Sequence, residues 1–190
     1  VDWEGQIAYL DRDGVLNRWK EDYVNSPDDV EILSGSGKAI SRLRGMGFRI
    51  CVVTNQSPIG RGMWGHDVLA QINDRLQDLL LEEDHGAEID VLLYSPYAPS
   101  ENSWARKPNP GMLEAGRQII ENAHRFPGKQ NVILFGDDWV NRPSESRSIM
   151  VGDRNSDITA ADRFGVRGIL CDSESGLAGV LAQIKAINGG

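Results

Sequence analysis

The sequence has few of the residues that mark secreted, membrane-bound or nucleic-acid-binding proteins. Only two cysteines occur among 190 residues, and both lie in apolar runs, so we expect buried, reduced thiols and no disulfide framework. No apolar run approaches the length of a membrane span, and the N-terminus has neither the basic nor the apolar region of a signal peptide. The net charge of −8 disfavours a nucleic-acid-binding surface. These absences predict a cytoplasmic protein with no membrane or nucleic-acid partner.

Histidine is scarce as well. His66, His85 and His124 stand at scattered positions without the spacing of metal ligands. We expect these side chains to lie exposed on polar faces.

Strand-like and helix-like apolar patterns alternate along the chain. Short apolar runs predict strands at 7–10, 49–53, 89–94, 148–151 and 167–171, with an additional strand at 131–135. Helical spacing of apolar residues predicts helices at about 36–46, 68–80, 110–125, 158–164 and 177–187. Such alternation favours a mostly parallel sheet with right-handed crossovers. We expect a single three-layer, Rossmann-like α/β domain over residues 1–190, without a large cap because these elements already fill the intervals.

Two carboxylates follow the first predicted strand. If the extended backbone continues past the strand, alternation points Asp11 and Asp13 the same way at the carboxyl edge of the sheet, and Gly14 lets the chain turn away. Ligands bind at that edge in open α/β sheets. Because two like charges repel unless a cation or shared proton accompanies them, this pair favours a metal. By itself an Asp-x-Asp-Gly sequence is also compatible with a solvated turn.

Further polar residues lie at the ends of the other predicted strands and should meet the first pair at one edge. They are Thr54 and Asn55, Arg106 and Lys107, and Asp153 and Asp157. Carboxylates, a hydroxyl and a lysine suit phosphoryl transfer, which depends on positioning and charge stabilisation. Mg²⁺ takes oxygen ligands and leaves room for a substrate phosphate.

Each residue has a predicted role in such a reaction. Asp11 is the nucleophile that forms an aspartyl-phosphate, and Asp13 is the general acid and base. Thr54 and Lys107 hold the phosphoryl oxygens. Mg²⁺ is bound by Asp11, Asp13 and Asp153, whereas Asp157, one helical turn later, orients that shell. We prefer Asp153 to the similar 135–138 stretch, because a helix pattern follows only Asp153.

Four ordered segments carry a resemblance to a known family. They are residues 11–17, 54–57, 107–112 and 152–157, and the resemblance covers roughly residues 7–170. They resemble the motifs of the haloacid dehalogenase (HAD) superfamily, and more closely its capless heptose-bisphosphate and histidinol-phosphate phosphatases. The resemblance implies Mg²⁺-dependent phosphomonoester hydrolysis through Asp11. It also implies substrate contacts from Asn55, Arg61, Arg106 and Arg154.

The sequence departs from that family in three places. Family members commonly carry a Cys/His zinc loop before the Arg-Lys pair, but residues 95–105 contain neither residue type, so no zinc is expected. Pro58 stands where the family usually has Gly. Residues 126–147 resemble an insertion.

Several functions remain open from the sequence. A small anionic metabolite, a sugar phosphate and specifically a heptose bisphosphate, is favoured, because three arginines suit a second phosphate. Histidinol phosphate carries a cation, which argues mildly against it. A nucleic-acid 3′-phosphatase should show a basic groove, which the net charge of −8 disfavours. A non-catalytic scaffold need not preserve a repulsive carboxylate pair. Neither oligomeric state nor anomer preference follows from the sequence.

Overall fold

The computed structural model describes residues 3–188. The strands are Ile7–Leu10 (β1), Arg49–Asn55 (β2), Val91–Ser95 (β3), Ile149–Gly152 (β4) and Arg167–Leu170 (β5). The helices are Ser36–Gly45 (α1), Ser57–Gly60 (α2), His66–Glu83 (α3), Gly111–Arg125 (α4), Asn155–Phe164 (α5) and Gly176–Asn188 (α6). Short 3₁₀ turns occur at Pro27–Asp29, Pro99–Glu101 and Gly136–Asp138.

The strands form one parallel sheet in the order β3-β2-β1-β4-β5. β1 pairs with β2 on one side, where Tyr9 is opposite Cys51, and with β4 on the other, where Tyr9 is opposite Met150. The connections run outward from β1 to β3 and then return across the sheet to β4 and β5. The strand order therefore reverses beside β1, and ligands bind at such a switch point in open α/β sheets.

Alternating side chains of the sheet enter two separate cores. Ala8 and Leu10 of β1 belong to a core shared with α1, α3 and α6, whereas Ile7 and Tyr9 belong to one shared with α4 and α5. All four side chains are fully buried. The predicted three-layer α/β fold is confirmed. Truncating Leu10 to alanine would cost about 2–5 kcal/mol of stability, because a cavity would open inside one of these cores.

The additional strand predicted at 131–135 is wrong. This stretch has no strand pairing and packs outside the sheet, where the Gln118 amide bonds both the N–H and the carbonyl of Leu134 at 3.0 and 2.8 Å. Val132 is 83% exposed and Leu134 is 41% exposed. An apolar run of strand length carries no information about whether a neighbouring strand is available, and here a helix side chain supplies the backbone partners instead.

Several element boundaries also differ from the predictions. β2 continues through Thr54 and Asn55, which we expected in a loop. α5 begins at Asn155 rather than near 158, because the carboxylate of Asp157 accepts the N–H of Arg154 at 3.1 Å and caps the helix. Both cysteines are free and buried, and the three histidines are exposed, as predicted. No helix among residues 3–188 is long and apolar enough to cross a membrane.

Candidate active site

The ends of β1 and β4 bring the two acidic loops together. The N–H of Asp11 donates to the carbonyl of Val151 at 3.0 Å, so the pairing of the two strands continues to Asp11. Gly14 has a φ of +80°, and a Cβ at this position would collide with the carboxylate of Asp153. Glycine is therefore required twice here, for the left-handed turn and for the close approach of the Asp153 loop.

Lys107 lies between two of the carboxylates. Its Nζ is 2.9 Å from Asp11 Oδ1 and 2.6 Å from Asp157 Oδ1, and the residue is 2% exposed. Burial lowers the pKa of Lys107, but the two carboxylates outweigh that effect and hold it above its usual value. Burial raises the pKa of Asp11 to about 7, and repulsion from Asp157 adds to the rise, whereas Lys107 opposes it. The single positive charge of Lys107 thus offsets only part of the negative charge of Asp11 and Asp157.

Three carboxylates form a cluster suited to a cation. Oxygens of Asp11, Asp153 and Asp157 all lie within 4.8 Å of one another. Oδ1 of Asp153 is buried and accepts no hydrogen bond from any described residue, and burial raises the pKa of this carboxyl, with Asp157 adding to the shift. An oxygen-only donor set with a buried oxygen that accepts no hydrogen bond from the described residues fits Mg²⁺. The cluster contains the side chain of Asp157, whereas the predicted ligand set contained Asp13.

Asp13 is held by a separate set of donors. Arg12 contacts it at 3.0 Å, and the amides of Asn17 and Gln56 donate to it at 2.9 Å each. Although burial alone would raise the pKa of Asp13, Arg12 and these hydrogen bonds hold it below its usual range. Sequence reasoning missed Arg12, which is 1% exposed and also donates to Asn73 Oδ1 at 3.0 Å. No periodic signal distinguishes such an arginine from a surface one.

The end of β2 contributes two of the predicted residues. Thr54 is 1% exposed, and its hydroxyl oxygen accepts the Gln56 amide at 2.9 Å. The Asn55 amide donates to the carbonyl of Lys107 at 3.0 Å and accepts its N–H at 3.1 Å. The Asn55 side chain therefore fixes the backbone that carries the lysine.

An open cleft of about 500 Å³ lies over these carboxylates. Arg61, Arg106 and Arg154 line the same cleft as Asp11, so the structure brings together all three arginines implied by the resemblance. Burial lowers the pKa of Arg106, and the positive charges of Arg61 and Arg154 lower it further. Trp19, 46% exposed, forms part of the wall, with the guanidinium of Arg154 at 5.8 Å from its ring centroid. Three guanidinium groups in one cleft favour an anionic ligand.

The fold and site are those of a HAD-type phosphatase, in agreement with a match of residues 104–187 to the HAD-hydrolase-like family model. The chain is 32% identical over 168 residues to a D-glycero-beta-D-manno-heptose-1,7-bisphosphate 7-phosphatase from Haemophilus ducreyi, covering 85% of this chain and 80% of that one. A Pseudomonas aeruginosa protein of the same name is 41% identical over 116 residues, covering 61% of this chain and 62% of that one.

A solved structure shows the same architecture. The D,D-heptose 1,7-bisphosphate phosphatase from B. bronchiseptica, complexed with magnesium and phosphate, superposes with a TM-score of 0.75 at 26% identity, covering 95% of this chain and 98% of that one. The chain belongs to the heptose-1,7-bisphosphate 7-phosphatase family of HAD hydrolases. The resemblance inferred from the four motifs is thereby confirmed.

Proposed function

We propose that this protein removes the 7-phosphate from D-glycero-D-manno-heptose 1,7-bisphosphate through an aspartyl-phosphate at Asp11. One observation carries the proposal: three arginines line the same cleft as Asp11, Asp13 and Asp157. A substrate with two phosphates needs one reaction centre and one further anion site, and guanidinium groups bind phosphate bidentately. The names of the relatives support the same substrate.

Asp11 forms the new bond in the first step. Its carboxylate attacks phosphorus, the bond to the sugar oxygen breaks, and that oxygen takes a proton from Asp13. In the second step Asp13 takes a proton from water, the water oxygen attacks the aspartyl-phosphate, and inorganic phosphate leaves with Asp11 restored. The donors around Asp13 favour its ionised form at rest. An incoming phosphate dianion beside it raises its pKa and favours the acid form that the first step needs.

The remaining residues bind the phosphates and the metal ion. Lys107 and Thr54 bind the transferring phosphoryl oxygens, and Asn55, at the end of β2, holds the backbone of Lys107. We assign Mg²⁺ to Asp11, Asp153 and Asp157, where bound Mg²⁺ would neutralise charge on the transferring phosphoryl group. Arg61, Arg106 and Arg154 bind the second phosphate. The ligand is a small phosphorylated sugar, and the cytoplasmic location stays a prediction.

A substrate panel tests the proposal. Phosphate release is measured with Mg²⁺ on both anomers of the heptose bisphosphate, the heptose 7-monophosphate and histidinol phosphate. We expect kcat/KM to be highest for a bisphosphate, and Arg61→Ala to raise its KM about tenfold, since a charge-assisted hydrogen bond is lost. The same variant should leave KM for the 7-monophosphate unchanged.

The matched control is Arg75→Ala, which removes an exposed arginine paired with Glu82 on α3. This variant should match the wild type on every substrate. Equal kcat/KM for the bisphosphate and the monophosphate, or a preference for histidinol phosphate, would overturn the proposal.

A further inference from the structure

Glu114 is a fully buried carboxylate in the first turn of α4, outside the reaction centre. Its two oxygens accept from the Trp104 indole N–H at 2.7 Å, from Arg142 Nη2 at 2.9 Å and from the N–H of Gly136 at 3.2 Å. A buried carboxylate is stable only when such donors satisfy it. Two of these donors come from the 126–147 segment and one from the loop that precedes Lys107. We call Trp104, Glu114, Gly136 and Arg142 the Glu114 brace.

Two further polar side chains of α4 hold the 126–147 segment. Gln118 bonds both backbone groups of Leu134, and Arg117 pairs with Glu145 at 2.6 Å. With Glu114 they stand at i, i+3 and i+4 and therefore share one face of the helix. The segment is thus attached by directional polar contacts, while much of its apolar surface stays exposed.

The brace reaches the cleft through Trp104. The carbonyl of Trp104 accepts the N–H of Gly111 at 3.1 Å, and a Cβ on Gly111 would collide with that carbonyl. The next turn is closed by the N–H of Arg106, which donates to the carbonyl of Ser103 at 3.0 Å. Glu114 holds the indole of Trp104, and Gly111 of α4 holds its backbone carbonyl. Because Arg106 follows Trp104 by two residues, these contacts also fix the direction in which the Arg106 side chain leaves the loop.

The Arg106 guanidinium donates to the Tyr97 carbonyl at 2.9 Å, a contact within the loop that precedes α4, whereas Lys107 is held by residues outside this loop. Asn55 holds its backbone, and Asp11 and Asp157 hold its ammonium group. Loosening the brace should therefore disturb Arg106 much more than Lys107. This difference separates an effect on substrate binding from an effect on the chemical step.

We propose that Trp104, Glu114 and Arg142 are positioning residues that hold Arg106 in place for the second phosphate of the substrate, and that the 126–147 segment exists to complete this brace. The inference rests on the proposed function for the identity of that anion. The brace itself consists only of side-chain and backbone contacts, so its effect on the 103–111 loop is measurable without any substrate.

Glu114→Gln and Trp104→Phe test the brace by two readouts. Glu114→Gln places an amide N–H₂ group against the donors that now bond to the carboxylate. Trp104→Phe removes one hydrogen bond from an indole that is 46% exposed, so this variant should fold like the wild type. We expect faster amide hydrogen exchange in residues 103–111 in both variants. We also expect KM for the bisphosphate to rise about fivefold, with kcat within about twofold of wild type.

Glu121→Gln is the matched control. It changes the same residue type on the same helix, where Glu121 forms an i,i+4 ion pair with the exposed Arg125 at 2.9 Å. Exchange in 103–111 and both kinetic constants should match the wild type in this variant.

A double-mutant cycle decides whether the brace acts through Arg106. In an Arg106→Ala background, Trp104→Phe should change KM for the bisphosphate less than about 1.5-fold, because the group it positions is gone. Effects that multiply, a fall in kcat at constant KM, or unchanged exchange in 103–111 would each overturn the inference. Failure of the wild type to release phosphate from the bisphosphate would instead overturn the proposed function. Amide exchange in residues 103–111 would still show whether the Glu114 brace holds this loop.

Discussion

Two buried charge clusters lie at opposite ends of the sheet, and they differ in balance. Near the start of β1 and β4, Arg117 is paired with Glu145, and its other N–H groups donate to the Gly5 carbonyl at 2.7 Å and the Ser148 hydroxyl at 3.0 Å. At the carboxyl ends, one ammonium group, Lys107, accompanies three carboxylates. The first cluster is neutral and satisfied, and the second carries an uncompensated negative charge.

That difference separates structural burial of charge from functional burial of charge. A balanced pair contributes little net stability, but removing one partner is costly. A buried acidic cluster without enough cations destabilises the fold until a cation binds to it, so such clusters are found mainly at functional sites. The predictions below alter each cluster in turn and begin with the largest effect.

Replacing Asp11 with asparagine should reduce phosphatase activity by about 10⁴-fold or more, since a carboxamide cannot act as the nucleophile. The metal-free free energy of unfolding should not fall, because burial already raises the pKa of Asp11 and so disfavours its charge. Phosphate release and urea unfolding measure the two quantities. Activity equal to wild type would eliminate the covalent route.

Arg117→Met should lower stability and leave the chemical step nearly unchanged. It leaves Glu145 buried without its cation, and we expect a loss of about 3–5 kcal/mol in the free energy of unfolding. The kcat of the folded fraction should stay within about twofold of wild type, since the pair lies away from the reaction centre. Urea unfolding followed by an activity measurement tests both parts, and an unchanged unfolding midpoint would contradict the assignment.

Magnesium should stabilise the acidic cluster and leave the balanced one unaffected. At 100 times its dissociation constant, a bound ion adds about 2.7 kcal/mol to the free energy of unfolding. Arg117→Met should keep this increment, whereas Asp153→Asn should lose most of it. Thermal melts with and without Mg²⁺ provide the comparison. An undiminished increment in Asp153→Asn would place the ion elsewhere.

The smallest effect concerns Tyr9, whose hydroxyl donates to Glu145 at 3.3 Å. Burial raises the pKa of Tyr9 well above its usual value, and Glu145 adds to the rise. Above a pH of about 10 the unfolded chain loses this proton and the folded chain keeps it, so stability falls as pH rises, by up to about 1.4 kcal/mol per pH unit. Tyr9→Phe should remove that part of the slope in urea unfolding between about pH 10 and 11. An identical slope in the variant would rule out this linkage.

Local sequence patterns predict some features of this site and not others. The alternation of apolar patterns is a local signal, and it suffices for the parallel sheet and for the edge where Asp11, Lys107 and Asp153 meet. The placement of Asp157 within the carboxylate cluster, and of Asp13 among separate donors, depends on side-chain directions that strand-end spacing does not encode.

Charged residues on α4 show a second limit. Glu114 and Arg117 have the pattern of a solvated helix face, yet both are buried, because the 126–147 segment covers them. Their partners lie far along the chain, so no local pattern reveals the pairing. The strand wrongly predicted at 131–135 has the same origin, since strand propensity does not say what the segment will meet.

The hydrogen bond from Asp11 to Val151 has a consequence for biosynthesis. Asp11 is synthesised well before β4, the strand that positions it, and before Asp153 and Asp157, the carboxylates beyond that strand. A nascent chain that has reached only β3 has no catalytic centre, whatever helices it has already formed. Phosphatase activity should therefore arise only after β4 and the residues beyond it have been synthesised, and a chain that ends before β4 could not act on a sugar phosphate.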